Sequence, residues 1–412
     1  MYQPKPFPLR VTDEQLNDLK LRLSITRWPH QVEPNTDWSA GSDVNYIKNL
    51  AQFWHDCDWR AQEDYLNGGL GCGAKHFKMK LKTTNLNIHY CHAKSTNGVK
   101  GIPILLLHGW PGSWYEFHKL FPILANNGFD VIAPSLPGYG FSDPPNTKGF
   151  GTVSIAMAMD EMMQQLGYTK YVCQGGDWGS AVSLALGQLK TLGRISGPQA
   201  MHQNMLTPPK APPRDVLNKL KNEYTEFDLR GAARGKQFRP HAAYQQIQGT
   251  KPMSLGVGLN NSPAGLLSWI VEKLRQWSDC NGDPENAFTK IDMITNVAMY
   301  WYGESATSAA RLYYEGGLGG LKGEKGLEEF KDVTGTVVEI PYGCALFPEE
   351  ISWIPLSWIP YGFPQVKRVK KMSKGRHFAA WEQPELLGQE LIEFFINDID
   401  GKTLCGVNSS KL

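Results

Sequence analysis

The stretch Val172-Cys-Gln-Gly-Gly-Asp177-Trp-Gly-Ser180 sets one reactive side chain among small residues. It follows an apolar, β-like run and precedes a helical run from Ala181 to Leu189. That is the shape of a nucleophile elbow, a tight strand-to-helix turn that exposes its central residue. The usual central residue is serine, and here it is Asp177. A carboxylate oxygen attacks an sp³ carbon, displaces a leaving group and leaves an alkyl ester on the enzyme. Water must then attack the ester carbonyl, so a histidine is needed to deprotonate the water and an acid to orient the histidine.

The chain supplies these groups in the order nucleophile, acid, histidine. His377, in Gly375-Arg-His-Phe378, follows the last strand-like run and precedes the last helix. Of the ten histidines it is the one placed for this task; His202 and His241 fall in the wrong region and His108 belongs to a turn. The acid is expected after the preceding strand, in Phe347-Pro-Glu349-Glu350, where either glutamate would serve. The ester carbonyl becomes negative when water attacks and needs backbone donors. The N–H of Trp178 is one, and Trp110 in His108-Gly-Trp-Pro111 supplies the other. A halide leaving group needs only indole or amide donors, whereas an epoxide oxygen leaves as an alkoxide and needs a proton. Tyr244 and the pair Tyr313-Tyr314 could give it.

These groups require a scaffold of alternating strands and helices. Ile102 to Leu107 reads as a buried parallel strand, Phe129 to Pro134 as the next, and Tyr171 to Gln174 as the strand into the elbow, with helices between them. The pattern predicts a mostly parallel sheet with helices on both faces. Residues 1–95 form an N-terminal extension: a helix capped by Thr12, a second helix from about Asp43 to Leu66, and paired strands around Phe77 and Leu86 to Tyr90. Residues 96–207 are the first part of the α/β core, 208–332 an inserted helical cap, and 333–405 the second part of the core. That second part has strands at Thr336 to Ile340 and Val366 to Met372 and a helix from Glu385 to Phe395. Residues 406–412 are a tail.

Composition narrows the partners. The 412 residues are 41% hydrophobic and 20% charged, enough for a sizeable core, and the net charge of +2 offers nothing for nucleic acid or an anionic membrane. The seven cysteines are odd in number, scattered and without a C-x-x-C pair, which argues against a disulfide framework or a zinc site. No apolar run approaches the ~20 residues that span a bilayer. The final three residues, Ser410-Lys411-Leu412, form a peroxisomal address, read by an import receptor. Peroxisomal residence is expected, with the cytoplasm as the alternative.

At this point the chain resembles an epoxide hydrolase of the microsomal type, within the α/β-hydrolase superfamily. The likeness runs from about Phe7 to Phe395. It rests on Thr26-Arg-Trp-Pro29, His108-Gly-Trp-Pro-Gly-Ser113, Gly175-Gly-Asp-Trp-Gly-Ser180, Leu259-Asn-Asn-Ser-Pro263 with Trp269, Phe347-Pro-Glu-Glu350, and Arg376-His-Phe-Ala-Ala-Trp-Glu-Gln-Pro384. The resemblance implies an α/β-hydrolase fold, with Asp177 as nucleophile, His377 as general base and Glu350, rather than Glu349, as the charge-relay acid. It makes Tyr244 and Tyr313 the proton donors, with Tyr314 the fallback. It implies opening of an apolar epoxide to a vicinal diol with no cofactor and no metal. Animal members carry an N-terminal membrane anchor that this chain lacks, so a soluble protein is expected, with a second copy of the chain as a candidate partner. The aromatic, proline-rich loop Ile351 to Pro364 is a departure, expected at the pocket mouth. The competing readings are a dehalogenase on the same scaffold, a binding protein that keeps the fold without activity, and an esterase, which Asp177 disfavours as a poor acyl nucleophile.

Overall fold

The computed structural model describes residues 2–30, 38–98, 100–207, 212–318 and 330–407. Its centre is a nine-stranded sheet. The strands are β1 (Lys5–Pro6), β2 (Lys75–Lys80), β3 (Asn87–Ala93), β4 (Ile102–Leu107), β5 (Phe129–Pro134), β6 (Tyr171–Gly175), β7 (Pro198–Gln203), β8 (Tyr342–Leu346) and β9 (Val366–Lys371). Their order is β1-β2-β3-β5-β4-β6-β7-β8-β9. β1, β2, β3 and β5 pair antiparallel in succession, and every pair from β5 to β9 is parallel. All six residues of β4 are buried, as expected of a strand covered on both faces. The helices Thr152–Gln165 and Trp178–Thr191 pack against each other and the latter against β4, β6 and β7. This is the α/β-hydrolase fold.

Several sequence expectations shift in the structure. The helix expected from Asp43 to Leu66 is two helices, Val44–Asp56 and Trp59–Asn67. Asp58 breaks it by turning its carboxylate onto the N–H of Ala61 and capping a new helix. The strand expected at Thr336 to Ile340 is absent; β8 runs from Tyr342 to Leu346, where every residue is buried. β7 had no counterpart in the sequence reading, because Pro-Gln-Ala-Met-His-Gln carries too many polar residues to look like a buried strand. The closing helix is Pro384–Ile392, continued by a wider turn over Glu393–Asp398.

The N-terminal segment and the cap hold each other. The Thr12 capping box is present, with Gln15 reaching back to the Thr12 N–H. Arg22 on that first helix donates to Asn261 Oδ1 at 2.7 Å, and Ser42 donates to the Ser268 carbonyl at 2.9 Å. Between β7 and β8 the chain forms helices from Arg214–Leu220 to Ala306–Glu315. Among these, the helix Lys290–Tyr302 grips the turn after β4. Ser113 donates to Asn296 Oδ1 at 2.8 Å, Asn296 donates to the Pro111 carbonyl at 2.8 Å, and Tyr300 donates to the Gly112 carbonyl at 2.5 Å. Each bond is buried, where an unmade partner costs about 1–3 kcal/mol. The cap therefore fixes the backbone of the His108–Ser113 turn.

Candidate active site

β6 ends at Gly175 and the helix Trp178–Thr191 begins three residues later. Asp177 lies between them at φ 50° and ψ −126°. For a side chain other than glycine this left-handed backbone is strained by about 1–3 kcal/mol and persists only where its surroundings enforce it. They do so through close backbone approach. A Cβ on Gly179 would run into the Leu107 carbonyl of β4. The sequence of small residues around Asp177 is thus the condition for the turn.

The turn after β4 closes on the nucleophile from the other side. The Trp110 N–H donates to Asp177 Oδ1 at 2.8 Å. Trp178 follows Asp177 in the chain, and its N–H, first of its helix, is unused by the helix ladder. The N-terminal end of that helix favours negative charge. His108 locks the turn: its Nε2 accepts from the Leu136 N–H at 3.1 Å and its Nδ1 meets the Gly109 carbonyl at 3.0 Å.

His377 is buried after β9, with its Nε2 3.4 Å from Asp177 Oδ2 and its Nδ1 2.8 Å from Glu350 Oε1. Its backbone N–H donates to the Trp277 carbonyl at 3.1 Å, and the Trp277 ring packs edge-on against the imidazole at 5.3 Å. Burial pulls the imidazole down, yet the Glu350 and Asp177 carboxylates outweigh it and hold His377 well above its ordinary value. Glu350 Oε1 also accepts the N–H groups of Ile351 and Ser352. Glu349 points elsewhere, 3.7 Å from Arg234 and half-exposed. Of the two adjacent glutamates, the structure brings Glu350 to the histidine.

The cap covers this trio with aromatic rings. Tyr244 stacks on the Trp110 indole at 5.2 Å and 15°. Tyr313 stands edge-on to Trp110 at 5.8 Å and to Trp178 at 5.0 Å. The two phenol rings are 5.8 Å apart. Both are buried, and burial first, then the Asp177 carboxylate among other charges, raises both phenols far above their ordinary value. They therefore keep their protons at neutral pH. Asp177, Trp178, Tyr244 and Tyr313 line one cavity of about 630 Å³, whose walls include Leu184, Phe238 and Phe330. Tyr314 is half-buried and does not line it. Ile351 and Ser352, at the start of the aromatic loop, do line it.

Of the candidates of the sequence reading, Asp177, Trp178, Tyr244 and Tyr313 line this cavity, Trp110 and His377 meet Asp177 behind it, and Glu350 meets His377, whereas Glu349 and Tyr314 stand apart. Ser410, Lys411 and Leu412 lie outside the described residues. The sequence reading missed Trp277, which wedges His377 against Tyr244, and Glu116, which lies close behind Asp177 and His377. The signal for Glu116 was present: a lone carboxylate in the aromatic run Trp114-Tyr-Glu-Phe117.

Comparison with known proteins identifies the family and the fold. Residues 4–117 match the family model described as epoxide hydrolase N terminus, and residues 102–206 match the alpha/beta hydrolase fold. Epoxide hydrolase 1 of Oryctolagus cuniculus is 34% identical over 430 residues, spanning 95% of this chain and 88% of that protein. The crystal structure of juvenile hormone epoxide hydrolase from the silkworm Bombyx mori superposes with a TM-score of 0.84 at 27% identity, covering 96% of this chain and 94% of that one. The Aspergillus niger epoxide hydrolase structure gives 0.79 at 29% identity, covering 96% and 97%. A carboxylate on the elbow, a histidine and glutamate behind it and two tyrosines above it stand on a chain that belongs to the epoxide hydrolase family.

Proposed function

We propose that this protein opens an apolar epoxide to a vicinal diol in two steps. The observation that carries the reading is the placement of Tyr244 and Tyr313, both protonated, in the same cavity as Asp177. Asp177 Oδ1 is already engaged by the Trp110 N–H, so Oδ2 is the attacking oxygen. It bonds to an epoxide carbon, the carbon–oxygen ring bond breaks, and a tyrosine gives its proton to the departing oxygen. With Asp177 neutralised as the ester, His377 gives the proton it carries in the free enzyme to the tyrosinate and becomes a base. Water then loses a proton to His377 and attacks the ester carbonyl carbon. The negative oxygen that forms is Oδ1, held by the N–H groups of Trp110 and Trp178. Collapse breaks the bond to the alkyl oxygen, which takes the proton from His377 and leaves as the second hydroxyl, and the Asp177 carboxyl so formed passes its proton to His377 to restore the starting state.

A dehalogenase would share Asp177, His377 and the indoles, but it has no use for two buried phenols. Purified protein offered epoxides and haloalkanes in parallel separates the readings: diol formation without halide release is expected, and halide release without diol would refute ours. His377→Gln should trap the ester, seen as a mass increase on Asp177 equal to the substrate. Lost turnover with no adduct would overturn the two-step scheme.

The volume and apolar walls of the cavity suit a lipid-derived or biosynthetic epoxide. The terminal Ser410-Lys411-Leu412 supports action in the peroxisome through its import receptor, in lipid or secondary metabolism rather than general detoxification. Removing the three residues from a fluorescently tagged protein should leave it in the cytoplasm; continued peroxisomal signal would sink the targeting reading. Light scattering reads the assembly state, for which a homodimer is the candidate.

A further inference from the structure

A second, small cavity lies on the far side of Asp177 and His377, lined also by Gly109, Gly176, Asn204 and Glu116. Its volume, about 10 Å³, suits the centre of one water molecule. The cavity touches the nucleophile and the base at once, where a hydrolytic water must stand. Glu116 sits on the short turn Trp114–Phe117, directly after the turn that supplies Trp110. Its Oε1 fills the space where a side chain at Gly112 would begin. No hydrogen bond to its carboxyl occurs among the described residues. A carboxyl in such a place ordinarily has a partner, and a water in this cavity is the group that would supply one. Burial pushes the carboxyl up to about 8, with the His377 charge working against this and the Asp177 carboxylate adding to it. At neutral pH it is therefore mostly protonated, and its carbonyl oxygen is free to accept.

We propose that Glu116 is the second holder of the hydrolytic water, which gives one hydrogen bond to His377 Nε2 and the other to Glu116. So held, the water faces the carbonyl carbon of the Asp177 ester. One O–H bond breaks, its proton passes to His377, and the new carbon–oxygen bond forms. Glu116 keeps its own proton and acts by aim. It serves ester hydrolysis and has no part in ring opening, a division that a purely structural role would not produce. The inference rests on the two-step reading above.

The test is single-turnover rapid quench of the full chain with a styrene oxide-like epoxide, followed by intact-protein mass spectrometry. In Glu116→Leu, ester hydrolysis should slow by about ten- to a hundredfold while alkylation stays within about twofold, so the adduct persists. Gly112→Ala displaces the carboxyl without removing it and should slow the same step, which keeps the test open if the leucine variant misfolds. Glu116→Gln retains a carbonyl acceptor and should recover most of the rate. Wild-type hydrolysis in Glu116→Leu and Gly112→Ala, or equal slowing of both steps, overturns the proposal. His377→Gln is the control: no ester there refutes the two-step reading itself, whereas an ester there with normal hydrolysis in the Glu116 variants refutes only the role of Glu116.

Discussion

His377 faces Asp177 across 3.4 Å, and the Asp177 carboxylate helps to set the charge of the imidazole. While Asp177 is a carboxylate, it and Glu350 keep the imidazole protonated against the pull of burial. Alkylation turns Asp177 into a neutral ester and removes one of the two charges holding that proton. The imidazole then becomes a base at the moment a base is needed. Asp177→Asn imitates the neutral state, so His377 in that variant should titrate at a lower pH than in the wild type. NMR titration of the His377 ring reads this directly, and an unchanged midpoint would contradict the charge coupling.

The two glutamates separate cleanly by geometry. Glu350 accepts from His377 at 2.8 Å, whereas Glu349 faces Arg234. Glu350→Gln should lower kcat by about 10²–10⁴, in line with losing the orienting acid of a triad, and Glu349→Gln should stay within about threefold. Steady-state kinetics on both variants decide it; equal losses would mean the acid is shared.

The phenols give a similar contrast between neighbours. Tyr244→Phe and Tyr313→Phe should each slow alkylation by about ten- to a hundredfold, and the double variant by more, with thermal stability close to wild type. Tyr314→Phe, outside the cavity, should leave the rate within about twofold. Pre-steady-state alkylation rates distinguish these, and undiminished diol formation in the double variant would remove the tyrosines from the mechanism.

Buried histidines make the fold sensitive to acid. Burial holds His76, His92, His108 and His118 down to about 4, and His202 to about 3. Between their ordinary value near 6.5 and these lowered values, the unfolded chain binds protons that the folded chain refuses. The contribution of these histidines to stability is therefore complete above pH 6.5 and falls as pH drops toward 4, on the order of 2–3 kcal/mol for each such group. The carboxyl of Glu116, raised by burial, changes stability in the opposite direction over the same range, so the titration of the individual rings is the clean readout. NMR should show these five imidazoles neutral at pH 5.5, and protonated rings at that pH would show that they are not held neutral.

The chemistry of single residues was legible in the chain. An aspartate at an elbow of small residues, a histidine between the last strand and helix, and a fully apolar β4 each declare themselves locally, because turn shape, residue type and burial act over a few positions. The Thr12 cap was legible for the same reason. Tertiary structure decided what depends on direction. Adjacent residues on a helix point about 100° apart, so whether Tyr313 or Tyr314 enters the cavity follows from how the helix Ala306–Glu315 packs. In the same way, the packing of a loop against Arg234 separates Glu349 from Glu350. β7 is a strand because β6 and β8 pair with it on either side, a cause no window of its own sequence contains. Glu116 acquires its place only when the turn after β4 folds behind Asp177, since its cavity is bounded by four segments far apart in the chain.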